Sequence, residues 1–126
     1  MSPRGVEDPE LEVLLRHQPQ RIRTLTYQAC ALIQRCVPSS VQRVRLGWKL
    51  VGFSAPHYFA FVAPQEDVVK VGFEWGVLLP DPVGILTGTG TQVRYVPVVD
   101  GTELRNPALA HLIELAAQQR PPRRKR

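Results

Sequence analysis

The sequence predicts an α+β domain, in which an antiparallel sheet of about four to five strands is backed by helices. Two segments near the start of the chain and one near its end place apolar residues at helical spacing. Between them, much of the chain alternates apolar and polar side chains, which is the period of a strand. The connections between the first alternating stretches are short, and short connections favour antiparallel neighbours.

Capping residues and apolar stripes predict three helices. Asp8 can cap the first helix, and Pro9 suits its first position. Asn106 and Pro107 repeat that arrangement before the last helix, and Pro121 follows its final turn. The apolar stripe of the second helix consists of Ile22, Leu25, Ala29, Leu32, Ile33 and Cys36.

Alternation predicts four strands, at residues 41–50, 58–63, 69–75 and 91–96. The first strand alternates apolar residues with arginine and lysine, and a turn follows it at residues 52–56. The second is a nearly continuous apolar run, which is typical of a strand covered on both faces. We expect a short helical turn at Ile85-Leu86 and a sheet edge near Pro97. The aromatic residues expected in the core are Trp48, Phe59, Phe61, Phe73 and Trp75.

Length and charge fit one folded domain with a basic tail. The chain has 126 residues, 44% of them apolar, which suffices for a packed core. The formal net charge of +5 belongs to the tail, because residues 120–126 carry five positive charges and residues 1–119 have no net charge. We therefore expect a frayed N-terminus at residues 1–7, one domain at residues 8–119 and a disordered basic tail at residues 120–126.

The sequence indicates a cytoplasmic, bacterial-type protein with no membrane partner. No apolar run approaches the roughly 20 residues that span a bilayer, and the N-terminal segment lacks the apolar stretch of a signal peptide. Cys30 and Cys36 are six positions apart in a predicted helix, which places them about 240° apart around its axis. We expect two buried, unreactive thiols there, because a disulfide would be badly placed.

Three segments in the middle of the chain follow the pattern of a known family. Leu46-Gly47-Trp48 stands at the start of the predicted sheet, residues 73–82 run from a strand into a Leu-Pro-Asp-Pro loop, and residues 85–90 end in Gly-Thr-Gly before Arg94. In this order they resemble the YdhG-like family of small bacterial domains of unknown function. One difference is that Gly47-Trp48 stands where that family has Trp-Gly.

The resemblance implies a fold and leaves the activity open. YdhG-like domains have an open antiparallel sheet backed by helices, similar to the fold of type III secretion chaperones. Some members are described as frataxin-like iron chaperones, but the family has no fixed set of functional residues. The resemblance therefore implies a chaperone-like fold, with iron as the one cofactor that it suggests.

The candidate motifs for catalysis do not meet the requirements of the chemistry they suggest. Residues 84–91 are rich in glycine and threonine, but they lack the lysine of a phosphate-binding loop and precede a strand. His17, His57 and His111 lie in separate segments without metal-ligand spacing. We expect no enzyme activity and no cofactor.

An iron role would depend on carboxylates, because hard cations prefer oxygen ligands. Glu10 and Glu12 lie at the start of the first predicted helix, and Glu66 and Asp67 occupy a predicted hairpin. These four residues are the candidate metal ligands of the alternative function, a frataxin-like iron chaperone. Solvated acids at a helix start and a hairpin tip account for the same positions.

The leading hypothesis is a non-enzymatic binding domain. It would engage a protein partner or a small ligand through its sheet face and the loop at residues 76–90. The candidate ligand contacts are Trp75, Asp81, Thr87, Thr89 and Arg94.

Charge and the open sheet edge suggest further partners. A homodimer is plausible through the edge near Pro97. A cationic sheet face could receive an acidic peptide, and the tail could hold nucleic acid weakly through its phosphates. The cations expected on the sheet face are Arg43, Arg45, Lys49, Lys70 and Arg94. Those of the tail are Arg120, Arg123, Arg124, Lys125 and Arg126.

Overall fold

The computed structural model describes residues 8–120 and Pro122. Arg120 is exposed at the end of this region. The predicted frayed segment at residues 1–7 and the tail cations at residues 123–126 lie outside the described residues, so these expectations stay predictions.

The described region contains three α-helices and a five-stranded sheet. The helices are α1 (Pro9–Leu15), α2 (Gln20–Cys36) and α3 (Pro107–Gln118), and the strands are β1 (Val41–Arg45), β2 (Leu50–Ser54), β3 (Tyr58–Pro64), β4 (Val69–Phe73) and β5 (Arg94–Val98). The strands are ordered β1-β2-β3-β4-β5, and every neighbouring pair is antiparallel. The α+β class and the antiparallel sheet predicted from the sequence are confirmed.

One face of the sheet forms the core with the helices. A row of paired valines crosses all five strands on this face. Helices α2 and α3 contribute buried aliphatic side chains, and both contact β3. The valine row consists of Val44, Val51, Val62, Val71 and Val96, all of them buried. We call this side of the sheet the helix face.

The predicted helix caps are confirmed at both ends of the domain. The Glu10 N–H donates to the Asp8 carboxylate over 3.0 Å, and Pro9 begins α1. The Ala108 N–H donates to the side chain of Asn106 over 2.9 Å, and Pro107 begins α3. Each cap satisfies a backbone donor that the helix itself leaves unpaired.

The prediction of one strand over residues 41–50 is wrong. The chain forms β1, then a 3-10 turn at Leu46–Trp48, and returns as β2. Lys49 makes this reversal in the left-handed region, with φ of 58°. The expected turn at residues 52–56 lies largely within β2, because the hairpin forms earlier in the chain.

Trp48 is consequently not a core residue. Alternation placed it beside Leu50 on a buried face, but the 3-10 turn carries its ring out of the strand and leaves it 70% exposed. Phe59 and Phe73 are buried as expected. Phe61 and Trp75 are half-buried.

The exposure of Trp48 predicts a distinct fluorescence signature. We expect Trp48→Phe to remove most of the emission that acrylamide quenches readily, because the indole of Trp75 is half-buried. The measurement is steady-state quenching of the folded protein, with Trp75→Phe as the matched variant. Equal quenching of the two single-tryptophan proteins would contradict the hairpin geometry.

Within residues 8–120, no helix has both the length and the apolar character needed to cross a membrane. The longest helix, α2, has 17 residues, and arginines and glutamines interrupt its apolar stripe. Its buried apolar residues all belong to the core.

Candidate functional site

The sheet face opposite the helices forms the candidate site, and we call it the outer face. Strand register places Arg43, Gly52, Phe61, Gly72 and Tyr95 in one row across all five strands. Each of these residues is the sequence neighbour of a valine on the helix face, so it faces the opposite side of the sheet. The helices contact the other face, and the outer face is left with half-buried aromatic rings.

Two glycines of this row allow aromatic rings to lie against the sheet. A β-carbon at Gly72 would overlap the Phe61 ring, and one at Gly52 would come within 2.8 Å of the Tyr58 ring. The rings therefore cover backbone that any larger residue would fill. Phe61 leans toward β4 and Tyr58 leans toward β2. The outer face thus carries two flat rings, both anchored on β3.

Cations surround these rings. Arg43 and Arg45 are exposed on β1, and the Lys70 Nζ lies 4.4 Å from the centroid of the Tyr95 ring. The Arg45 guanidinium lies 5.7 Å from the centroid of Trp48, so the exposed indole adjoins the same cationic edge. Contacts of this kind hold a cation over a π face. The outer face therefore combines aromatic surface with positive charge.

Two of the five cations expected on this face lie elsewhere. Lys49 belongs to the hairpin turn and faces an open cavity of about 580 Å³ beside α1. Arg94 pairs with Phe73, which is fully buried on the helix face, so its side chain starts on that side of the sheet. The sequence alternation placed both residues on the outer face. It ends before Lys49, where the hairpin turn begins, and it does not apply at Arg94, because β5 starts only at this residue.

The second predicted strand, which forms β3, is also not covered on both faces. Val62 is fully buried on the helix face, whereas Phe61 and Ala63 are half-buried on the outer face. Their apolar character serves the aromatic surface of the outer face and not a second helical layer.

Asp81 organises the loop between β4 and β5. Its two carboxylate oxygens accept hydrogen bonds from the N–H groups of Ile85 and Leu86, 2.9 Å each. The expected helical turn at Ile85-Leu86 does not form, because these N–H groups bond to the aspartate instead of to a helical backbone. Both residues still pack against the core as expected.

The loop continues as an added edge to the sheet. Thr87 and Tyr95 exchange backbone hydrogen bonds of 2.7 and 2.9 Å in an antiparallel bridge. The Arg94 Nη1 donates to the carbonyl of Gly90 over 2.7 Å, which holds the returning chain. The predicted strand at 91–96 accordingly starts later, at Arg94, and runs through Pro97 in the last strand of the sheet.

The candidate ligand contacts take two different positions. Thr87 is exposed beside Tyr95 at the edge of the outer face, and Thr89 is exposed further along the loop. The side chains of Asp81 and Arg94 are engaged in holding the loop. Trp75 is half-buried after β4, where its carbonyl accepts a hydrogen bond from the Gln119 side chain over 3.3 Å.

The predicted metal ligands lie on two different elements. Glu10 and Glu12 are exposed on α1, and Glu66 and Asp67 are exposed in the turn between β3 and β4. Among residues 8–120, no three His, Cys, Asp or Glu side chains are grouped closely enough to hold a metal ion. The four carboxylates therefore do not converge on one site.

The two cysteines are free and chemically quiet. Cys30 is fully buried, and this burial raises the pKa of its thiol far above the ordinary value. Cys36 is half-buried, and desolvation also raises the pKa of its thiol. Because the thiolate is the reactive form, both thiols are poor nucleophiles. His17, His57 and His111 are exposed on separate elements.

Tyr58 has a perturbed hydroxyl on the outer face. Burial, and secondly the negative charge of Glu74, raise the pKa of Tyr58 to about 12, while Arg45 acts in the opposite direction. The folded protein therefore keeps this phenol proton at a pH where the unfolded chain loses it. The stability contributed by neutral Tyr58 is complete below pH of about 10 and is lost as the pH rises toward 12.

We expect Tyr58→Phe to reduce the loss of stability between about pH 9 and about pH 11. The measurement is urea unfolding of the variant and of the wild type at both values. Groups that titrate elsewhere in the chain affect both proteins alike, so the difference between them isolates Tyr58. An identical loss in the two proteins would show that this hydroxyl is free to ionise.

Sequence reasoning missed Tyr58 and Tyr95 as site residues. The sequence contained part of this signal, since Phe61 and Tyr95 each precede a buried valine. Both residues also pair with Gly72 of β4. Recognising it required the register of β3 against β2 and β4. Without that register, an apolar run such as Tyr58–Pro64 is interpreted as core.

Comparisons with known proteins add no relative: no family model matches the chain, and neither a curated protein nor a solved structure matches it.

Proposed function

We propose that this chain is a non-enzymatic binding module whose ligand lies on the outer face. The observation that carries the proposal is the pair of rings, Tyr58 and Phe61, that lie over glycines on a sheet face bordered by Arg43, Arg45 and Lys70. A flat ring surface with cations at its border suits a planar ligand that carries negative charge.

Binding would combine stacking with charge pairing. A planar group can rest on Phe61, because its ring covers the backbone of Gly72 and is only half-buried. An anionic group of the ligand would meet the exposed guanidinium of Arg43 or Arg45, which can bind phosphate or carboxylate through two hydrogen bonds. Neither interaction requires a deep pocket.

The loop at residues 76–90 supports this face at its edge. The bridge between Thr87 and Tyr95 places the loop backbone next to the outer-face row. Asp81 fixes the loop from within, so Thr87 is presented in one position. We assign Thr87 a contact role, and we assign Asp81 and Arg94 the role of holding the loop.

The test uses adenosine monophosphate as the probe, because it joins a planar base to a phosphate. We expect calorimetry to detect weak binding that Phe61→Leu and Arg43→Gln each reduce by at least about fivefold. The matched controls are Tyr27→Leu and Arg35→Gln on α2, which remove an aromatic ring and a cation from the opposite side of the sheet.

Two results would contradict the proposal. One is binding that Tyr27→Leu or Arg35→Gln weakens while the outer-face variants leave it unchanged. The other is an affinity for adenosine monophosphate that is the same in all four variants as in the wild type. Thermal unfolding of each variant checks that the fold is retained.

The frataxin-like iron-chaperone function and the relation to YdhG-like domains stay predictions. The four candidate ligands lie in two separate pairs, Glu10 with Glu12 and Glu66 with Asp67. Iron binding through them would therefore not use a single site that all four share. No contact among the described residues favours this function over the outer face.

A further inference from the structure

We propose that the ligand of the outer face is a single strand of nucleic acid. This inference rests on the proposed function and names the ligand class for the same surface. It is carried by the spacing of the rings, the placement of the cations and the position of the larger cavities.

The rings are too far apart for one planar group to stack on all of them. The Phe61 ring reaches over Gly72 on β4, so it lies next to Tyr95 on β5. The Tyr58 ring lies over Gly52 on β2, two strands away from Gly72, which is about 10 Å across the sheet. Successive bases of an extended strand can occupy such separate rings, whereas a mononucleotide occupies one.

The two stacking rings define a direction across the sheet. Tyr58 leans over β2 at Gly52, and Phe61 leans over β4 at Gly72. Gly52, Phe61 and Gly72 lie in one row, so a chain that stacks one base on each ring would cross β3 along this row, roughly perpendicular to the strands. Tyr95 already carries the ammonium group of Lys70 over its ring, so it is a weaker stacking position in the free protein.

The cations lie where the sugar-phosphate backbone of such a chain would pass. Arg43 and Arg45 are exposed on β1, beyond the Tyr58 side. The negative charge of Glu74 raises the pKa of the Tyr58 hydroxyl more than Arg45 lowers it, so this end also carries one carboxylate. Lys70 lies beyond the Phe61 side, on β4. The carboxylate near this surface, Glu74, accepts a hydrogen bond from Gln92 over 2.8 Å. Cations therefore lie beyond both ends of the row of rings, with Glu74 as one carboxylate near the Tyr58 end.

The position of the larger cavities favours a single strand over an acidic peptide. Peptides gain specificity from pockets that take alternate side chains or from an open strand edge. Open cavities of about 580 and 700 Å³ lie away from the outer face, beside α1 and beside the end of α3. The outer face instead offers half-buried rings, on which bases of any sequence can stack.

The same reasoning predicts discrimination against duplexes. In a duplex the bases are stacked on each other and present only their edges, so they cannot rest on Tyr58 and Phe61. A duplex could still contact Arg43, Arg45 and Lys70 through phosphates. We therefore expect a single strand to bind more tightly than a duplex of the same length.

The test measures fluorescence anisotropy of a labelled twelve-nucleotide oligouridine with the full chain. We expect Tyr58→Leu and Phe61→Leu each to weaken binding by at least about fivefold. Leucine keeps the glycine backbone covered, so these variants should fold, and circular dichroism verifies this. For three phosphate contacts, the logarithm of affinity should fall with the logarithm of salt with a slope of about −2. Arg43→Gln together with Arg45→Gln should reduce the size of that slope by about 1.4.

The tail provides the control that decides which part of the chain binds. A full-length variant carries glutamine in place of each tail cation. Binding that is lost in this tail variant and kept in Phe61→Leu would overturn the proposal, because the contact would then belong to the tail. Equal affinity for the duplex would overturn it as well.

Three further outcomes separate this inference from the proposed function. If adenosine monophosphate binds the outer face and oligouridine binds no more tightly, the ligand is a small molecule and the single-strand inference fails alone. If an oligoglutamate peptide binds through the same residues and oligouridine does not, the partner is an acidic peptide. If the outer-face variants abolish only self-association, the occupant is a second copy of the chain.

Discussion

Phe73→Ala is expected to lower the free energy of unfolding by about 3–5 kcal/mol. Phe73 is fully buried at the end of β4, where it pairs with Ala60 of β3 and with Arg94 of β5. The small partner on β3 leaves the ring to fill this part of the helix face. Its truncation removes apolar contact area and leaves a cavity that the paired strands cannot close.

Urea unfolding followed by circular dichroism measures this change, and Val83→Ala is the control. Val83 is 63% exposed in the loop after β4, so its truncation should change the stability by no more than about 0.5 kcal/mol. A loss below about 1 kcal/mol for Phe73→Ala would mean that the core does not close around this ring.

Asp81→Ala is expected to have the largest effect on the loop, with a loss of about 1–3 kcal/mol. The substitution removes the acceptor of two backbone N–H groups, those of Ile85 and Leu86. Both residues pack against the core, so their N–H groups would lose a partner where water reaches them poorly. Because the loop is a local unit, most of this loss should appear as local opening.

Hydrogen exchange at the Ile85 and Leu86 amides measures that opening directly. We expect exchange at these two amides to accelerate in Asp81→Ala while the amides of β3 are unchanged. Thr89→Ala is the control, since Thr89 is exposed in the same loop. Asp81→Asn retains one acceptor oxygen and should give an intermediate rate. Unchanged exchange in Asp81→Ala would show that the carboxylate does not hold the loop.

The fold was predictable because its determinants are local or periodic. Asp8 and Asn106 indicate where helices begin, because each side chain accepts a hydrogen bond from the backbone only two residues ahead. The stripe of α2 and the alternation of β4 each repeat over several residues, so single exceptions do not disturb them. Predictions of this kind depend on sequence spacing alone.

The hairpin was not predictable from the same spacing. Leu46, Trp48 and Leu50 continue the alternation of β1, and a continued strand satisfies that pattern as well as a turn does. The reversal depends on Lys49 in the left-handed region, which a lysine rarely adopts and which no propensity indicates. The exposed position of Trp48 follows from that one residue.

The candidate site depended on strand pairing and was therefore hidden in the sequence. Gly52 and Gly72 are 20 positions apart, and only register brings them to either side of Phe61. The loop at residues 76–90 was predicted as part of the site, and Asp81 within it as a ligand contact. Its carboxylate points back into its own loop, a contact that needs coordinates to be seen.

Backbone amide mapping by NMR tests the central claim most directly. Titration with oligouridine should shift amides of the outer-face row, at Gly52, Phe61, Gly72 and Tyr95, together with Lys70. The amides of α1 and of the adjacent cavity at Val13 and His17 should stay in place. Shifts centred on that cavity, or shifts that leave the outer-face row unmoved while binding occurs, would contradict the account.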